Sequence, residues 1–233
     1  MSPREYDESD ARVRPARSTR PRSKDRPTHS TAISALVTGV DRGRQTCVSD
    51  DGVIITAMRA RELGPKSVVV GDRVSIVGDV TGDEGSLARI VSVNERRNSL
   101  SRTVDDAAQV ERTIVANVDQ LVIVVAALNP EPRRGLIDRF LVSAFTEGIT
   151  PKLVVTKTDL GQVPEFLAEY AKLDVEILHT AIKSDSREKD LEALHKMLSG
   201  KISVLVGHSG VGKSTLINAL VPAADRLTGD VNE

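Results

Sequence analysis

Hydrophobic and polar positions divide this 233-residue chain into three stretches with different periods. Residues 1–31 offer almost nothing apolar to bury. Arg12, Arg14, Arg17, Arg20, Arg22, Lys24 and Arg26 alternate there with prolines and serines, which predicts a disordered basic arm. Over 32–100 the apolar residues fall in five short β-rich runs, 33–40, 45–48, 53–58, 73–77 and 88–93. Asp50-Asp51-Gly52 and Gly82-Asp83-Glu84-Gly85 supply the turn residues that hairpins need. Five short antiparallel strands favour a closed barrel, because closure removes exposed edges. An OB-fold is the leading expectation and an SH3-like barrel the alternative.

Over 101–233 the pattern changes to unbroken apolar runs, 120–127, 152–155, 175–178 and 202–206, separated by helical spacing. Unbroken runs predict strands buried on both faces, and their alternation with helices predicts an α/β domain with a mostly parallel sheet. Leu136, Phe140, Leu141, Ala144 and Phe145 mark one helix, with Gly148 placed as its left-handed terminal residue. Leu191, Leu194 and Leu198 mark a second, and Phe166, Leu167 and Tyr170 a third. These aromatics are read as core.

Composition narrows the function classes. Thirty-two basic residues face 33 acidic ones, so any attraction to nucleic acid must come from local patches. The longest apolar run, 121–128, is far short of the roughly 20 residues a bilayer span needs, so no membrane is expected. Cys47 is the single cysteine, which excludes an internal disulfide framework and a cysteine-rich zinc site and fits a cytoplasmic protein. With aromatics at 2% and none between Ala32 and Arg97, the barrel lacks a stacking platform for single-stranded RNA.

The chemistry is concentrated in two loops. Gly207-His208-Ser209-Gly210-Val211-Gly212-Lys213-Ser214 fits the phosphate-binding pattern of Gly, four residues, Gly, Lys and Ser or Thr. It follows an apolar strand and precedes a helix expected over 215–221. Such a loop turns successive backbone N–H groups toward phosphate oxygens, and the helix end adds about half a positive charge. Lys213 would meet the β- and γ-phosphates, and the Ser214 hydroxyl would join a Mg²⁺ shell.

Thr156-Lys157-Thr158-Asp159 follows the buried run 152–155 and resembles the guanine-specificity motif of GTPases, with Thr where Asn is usual. In that motif the aspartate accepts hydrogen bonds from N1 and N2 of guanine while the lysine stem packs on the ring. Adenine would strand the carboxylate, a mismatch of the class worth about 10⁴-fold. Thr180-Ala181 lies where GTPases have Ser-Ala, whose backbone supports the guanine carbonyl. In ordinary GTPases the phosphate loop comes first, whereas here the base motif precedes it, so the domain reads as circularly permuted.

A five-stranded barrel, then Ala116-Asn117-Val118-Asp119-Gln120, Ile137-Asp138-Arg139-Phe140-Leu141, the base motif and the segment from Gly207 through Asn218 together resemble the ribosome small-subunit-dependent GTPase A family (RsgA). The resemblance covers about Ser34 to Glu233. It implies an OB-fold barrel, a circularly permuted P-loop GTPase domain and a C-terminal zinc-binding domain. It also implies GTP hydrolysis to GDP and phosphate in late maturation of the small ribosomal subunit. Thr156, Lys157, Thr158, Asp159, Thr180 and Ala181 would contact guanine, and Gly207 to Thr215 the phosphates, with Ser214 on Mg²⁺. GTP or GDP and Mg²⁺ are the implied ligands, and Zn²⁺ would belong to the C-terminal domain.

Leu227-Thr228-Gly229-Asp230-Val231-Asn232 resembles the family's run into its first switch. The switch threonine, the Asp-x-x-Gly loop and the zinc cluster do not follow within this sequence, so the chain reads as C-terminally truncated and weak in hydrolysis. No residue is assigned to orient the attacking water. The expected partners are the small subunit and its rRNA, met as a monomer through Arg42, Arg44, Arg59, Arg61, Lys66, Arg73 and Arg89. A competing reading is an rRNA-binding module with a remnant guanine-nucleotide site. An ATP-dependent kinase or ATPase would leave the 156–159 motif unexplained.

Overall fold

The computed structural model describes residues 31–64, 67–103 and 111–221. All of the basic arm except Thr31, together with Lys66 and the run 227–232, lies outside the described residues.

Strands β1 (Ile33–Asp41), β2 (Arg44–Ser49), β3 (Ile54–Arg59), β4 (Arg73–Gly78) and β5 (Ala88–Val93) close into a barrel of order β1-β2-β3-β5-β4, with β4 returning to β1. The pairs are antiparallel except β3 with β5. This is an OB-like barrel, so the leading expectation holds over the SH3-like alternative. Its interior follows the pleat. Alternate residues Ala35 and Val37, Ile55 and Ala57, Val74 and Ile76, and Ala88 and Ile90 point inward with Cys47, all nearly or fully buried.

A hairpin that the sequence reading did not foresee follows the barrel, β6 (Ser99–Thr103) with β7 (Glu111–Ala116). Its strands are rich in polar residues, so they present no apolar run. Leu100 and Val115 nonetheless point into the core of the next region. The barrel meets this hairpin through a parallel bridge between Val70 and Val115, and the Ala116 amide donates to the Val70 carbonyl at 3.0 Å. Gly71 makes the approach possible. Its φ is +89°, and a Cβ there would lie 1.9 Å from the Ala116 carbonyl oxygen.

Beyond the hairpin, β8 (Gln120–Ala126), β9 (Thr150–Thr156), β10 (Glu176–His179) and β11 (Ser203–Val206) form a fully parallel sheet of order β10-β9-β8-β11. Helices α1 (Arg134–Thr146), α2 (Arg187–Leu198) and α3 (Lys213–Leu220) complete the layers. Every residue of β8 is buried, because the strand feeds two cores. Leu121, Ile123 and Val125 pack with Ile137, Leu141 and Leu167 on one face. Val122, Val124 and Ala126 pack with Leu194, Val211 and Leu216 on the other. That double burial is why the run is unbroken.

Three details differ from the sequence expectation. Helix α3 begins at Lys213, two residues earlier than expected, so the lysine opens it. The third helix is a 3-10 helix, Glu165–Leu173. Its two buried residues, Leu167 and Tyr170, are three apart, the spacing at which side chains of a 3-10 helix stack on one face. Phe145 is 52% exposed at the last turn of α1 rather than in the core. Gly148 does take the left-handed conformation after that helix, at φ +64°.

Candidate nucleotide site

The phosphate loop leaves the end of β11 against the neighbouring strand. Gly207 lies so close that a Cβ would fall 2.2 Å from the Val124 carbonyl oxygen, and its φ of +149° suits glycine alone. Val211 anchors the loop in the core at 3% exposure. Among the described residues, the amides of Ser209, Gly210, Val211 and Gly212 have no backbone acceptor, which leaves them for an anion. Lys213 curls over the loop, donating from Nζ to the carbonyls of Gly207 at 2.9 Å and His208 at 2.7 Å. Burial lowers its pKa. Ser214 and Thr215 stand in the first turn of α3. The His208 ring pairs through Nδ1 with the Ser209 carbonyl at 2.9 Å. A shallow open cleft runs beside the loop, lined by Val124, Pro130, Arg133, Leu136, His208 and Val211.

The base loop leaves the end of β9, one strand beyond β8. Its first residue makes the link between the two loops. The Thr156 hydroxyl donates to the Val211 carbonyl at 2.6 Å and lies 3.2 Å from the Val125 carbonyl. Thr156 is buried. Threonine in place of the usual asparagine therefore keeps a tether from base loop to phosphate loop. Lys157 takes a left-handed backbone at φ +57° and sends its ammonium to the Asn129 carbonyl. Asp159 is exposed at the mouth of the loop. The third loop, after β10, sits against the second: the Thr158 amide donates to the Thr180 carbonyl at 3.3 Å, and the Thr180 amide to the Val155 carbonyl at 2.8 Å. Thr180 and Ala181 are buried. The Ala181 amide is already engaged, donating to Asp190 Oδ2 at 2.6 Å.

All of the residues singled out for nucleotide thus lie at the C-terminal edge of one parallel sheet, where open α/β sheets bind ligands. Three participants escaped the sequence reading. Val125 and Asn129 act through backbone carbonyls, and Asp190 is legible in the sequence only as a residue marking the start of a helix. A carbonyl leaves no signature in residue type, so only strand order reveals the first two. Asp119, part of the motif that carried the family resemblance, works at the opposite end of the sheet. Its carboxylate accepts the Ile202 amide at 2.7 Å and the Arg97 guanidinium at 2.8 Å. These two bonds, the amide foremost, hold its pKa below the usual carboxylate range.

An OB-like barrel followed by a parallel sheet in which the base loop precedes the phosphate loop defines a circularly permuted P-loop GTPase fold. The RsgA GTPase family model matches residues 93–233, and the chain belongs to that family. A curated relative, the small ribosomal subunit biogenesis GTPase RsgA 1 of Vibrio vulnificus (strain YJ016), is 38% identical over 176 residues, covering 73% of this chain and 48% of its own. The chain therefore spans about half the length of that relative. The crystal structure of YjeQ from Thermotoga maritima superposes with a TM-score of 0.62 at 30% identity, covering 82% of this chain and 66% of that one. YloQ, a circularly permuted GTPase, shares the fold at a TM-score of 0.58 and 24% identity, with 86% and 68% covered.

Proposed function

We propose that the chain binds guanine nucleotide between its base and phosphate loops and hydrolyses GTP to GDP and phosphate. The observation that carries this reading is the Thr156 hydroxyl on the Val211 carbonyl at 2.6 Å. It ties the loop bearing Asp159 to the loop bearing Lys213 across a single intervening strand. One ligand of nucleotide size can then reach both.

Asp159, exposed at the loop mouth, would accept from N1 and N2 of guanine. The Lys157 stem, stretched toward Asn129, forms a rail along the ring face. Thr158, Thr180 and Ala181 shape the base pocket. The amides of Ser209, Gly210, Val211 and Gly212 and the ammonium of Lys213 would hold the phosphates, and the lysine must exchange its two carbonyl partners for phosphate oxygens as it does so. Ser214, one residue into α3 beside those amides, offers the hydroxyl that would hold Mg²⁺, whose chemistry is to neutralise charge between β- and γ-phosphate oxygens.

The reading extends to the small ribosomal subunit and its rRNA as partners, in the cytoplasm, by membership of the RsgA family and by the name of the Vibrio relative. Exposed arginines on the barrel, Arg42, Arg44 and Arg89 among them, suit backbone contacts to folded RNA. Among the described residues no helix is long and apolar enough to cross a membrane.

Nucleotide titration tests the reading. GDP should bind at least about a hundredfold tighter than ADP, because adenine brings no donors to the Asp159 carboxylate and would cover it unpaired on binding. Asp159→Asn should invert the preference toward xanthosine diphosphate, because donor and acceptor exchange roles. Equal affinity of a folded protein for GDP and ADP would remove the assignment.

A further inference from the structure

The strand connections part company at the phosphate loop. The chain leaves β8 for one face of the sheet, where Ile137 and Leu141 of α1 pack with Leu121 and Ile123. It leaves β11 for the other face, where Leu216 of α3 packs with Val122 and Val124. Open parallel sheets take their ligands in the crevice where connections diverge in this way. The shallow cleft beside the loop is that crevice. The end of β8, the segment Pro130, Glu131, Pro132 and Arg133, and the phosphate-loop residues His208 and Val211 all line it.

Two consecutive arginines stand at the start of α1, and they are used differently. Arg134 is committed, its guanidinium holding both carboxylate oxygens of Glu169 at 2.7 and 2.9 Å and lying 4.5 Å from the centre of the Phe166 ring. Arg133 is fixed through its backbone, where its carbonyl accepts the Leu136 amide at 3.1 Å and the Ile137 amide at 3.3 Å. Its side chain is exposed, lines the cleft, and pairs with no carboxylate among the described residues, Glu131 included. The segment that carries it is tied down at both ends, by the bond from Lys157 to the Asn129 carbonyl and by the first turn of α1.

The run of the phosphate loop decides which part of a nucleotide comes to this cleft. Thr156 ties the Val211 carbonyl to the base loop, so the 211–212 end of the phosphate loop is the end nearest the base. A phosphate chain that starts there runs toward the 208–209 end, and His208 shares the cleft with Arg133. The last phosphate of a triphosphate therefore arrives beside an uncommitted guanidinium, whose fork of N–H groups matches two phosphate oxygens at once.

We infer that Arg133 binds the terminal phosphate of a nucleoside triphosphate and so lets the site tell triphosphate from diphosphate. Resting on the phosphate half of the reading above, this holds whichever base is bound.

The test measures, by calorimetry in the presence of Mg²⁺, the affinities of the unmodified chain, Arg133→Ala, Arg133→Gln and Arg134→Ala for GDP and for the non-hydrolysable triphosphate GMP-PNP. Arg133→Ala should bind GMP-PNP at least about tenfold more weakly while GDP stays within about twofold, as expected when one charge-assisted hydrogen-bond pair is lost. Arg133→Gln, which keeps much of the stem but not the charge, should behave alike and serves if the alanine variant does not fold. Arg134→Ala should leave the ratio of the two affinities unchanged. Parallel weakening of GDP and GMP-PNP in the folded Arg133 variants would show a structural residue, and an unchanged GMP-PNP affinity would show a side chain that stays in solvent. Either result overturns the inference. If the unmodified chain binds ADP as well as GDP, the guanine assignment falls alone, and the same comparison with ADP and AMP-PNP decides the role of Arg133. A folded chain that binds none of the four nucleotides would remove both.

Discussion

Thr156 has one hydroxyl proton and two carbonyls within reach, and it serves as the clasp between the loops. Removing it leaves the buried Val211 carbonyl without its partner. Thr156→Ala is expected to lower stability by about 1–2 kcal/mol and to weaken GDP binding several-fold, whereas Thr156→Ser should preserve both. Urea unfolding and calorimetry on the same preparations check this. Cys47 gives a second prediction. It is fully buried in the barrel, and desolvation pushes its thiol pKa from 9.0 up to about 11. A raised folded-state value means the stabilisation is whole below pH 9 and is lost as pH rises toward 11. The urea midpoint should therefore hold through neutral pH and fall above pH 9, less steeply in Cys47→Ala, and iodoacetamide should label Cys47 only after denaturation. At this scale the residue types proposed to handle nucleotide were legible in the sequence. It could not reveal why threonine suffices at position 156, because its partner lies two strands away in space and is a backbone atom.

At the scale of elements, the joint between barrel and sheet is built from the 96–98 and 116–119 segments. Asn117 donates from Nδ2 to the Gly71 carbonyl at 2.9 Å, and its Oδ1 accepts the Arg97 amide at 2.8 Å. Asn98 exchanges two bonds with Val118, 2.9 and 2.8 Å. Arg96 clamps the fully buried Asp72 through both carboxylate oxygens, at 2.7 and 2.9 Å. Gly71→Ala should break this joint, since the new methyl cannot share space with the Ala116 carbonyl. We expect a loss of at least about 3 kcal/mol, measurable by urea unfolding. Asp119→Ala tests the next link. Its lowered pKa means its stabilisation is present above the usual carboxylate range and disappears as pH falls through it. The variant should be less stable than the parent at pH 7, and the difference should shrink toward pH 3. Strands carried by a clear apolar run, such as β1 or β8, were legible within a residue or two. The 99–116 hairpin was not, because its pairing is decided by the docking of Leu100 and Val115 onto a core formed elsewhere in the chain.

For the whole molecule, this joint makes barrel and sheet one mechanical body. A single calorimetric transition is expected, and GDP at a hundred times its dissociation constant should raise stability by about 2.7 kcal/mol throughout. Hydrogen exchange at the barrel residues Val37, Ile76 and Ile90 should slow along with that of β8, and Asn117→Ala should uncouple the two. The sheet order carries one more consequence. Strand β11 docks on β8, yet 76 residues of intervening chain, from Ala127 to Ile202, emerge from a translating ribosome between the two. On the proposed reading, a growing chain makes its base loop at 156–159 well before the loop at 207–212 that would grip a phosphate. No nucleotide can rescue it during that interval, and the bare flank of β8, apolar on both sides, must be kept from other nascent strands until its rightful neighbour is made.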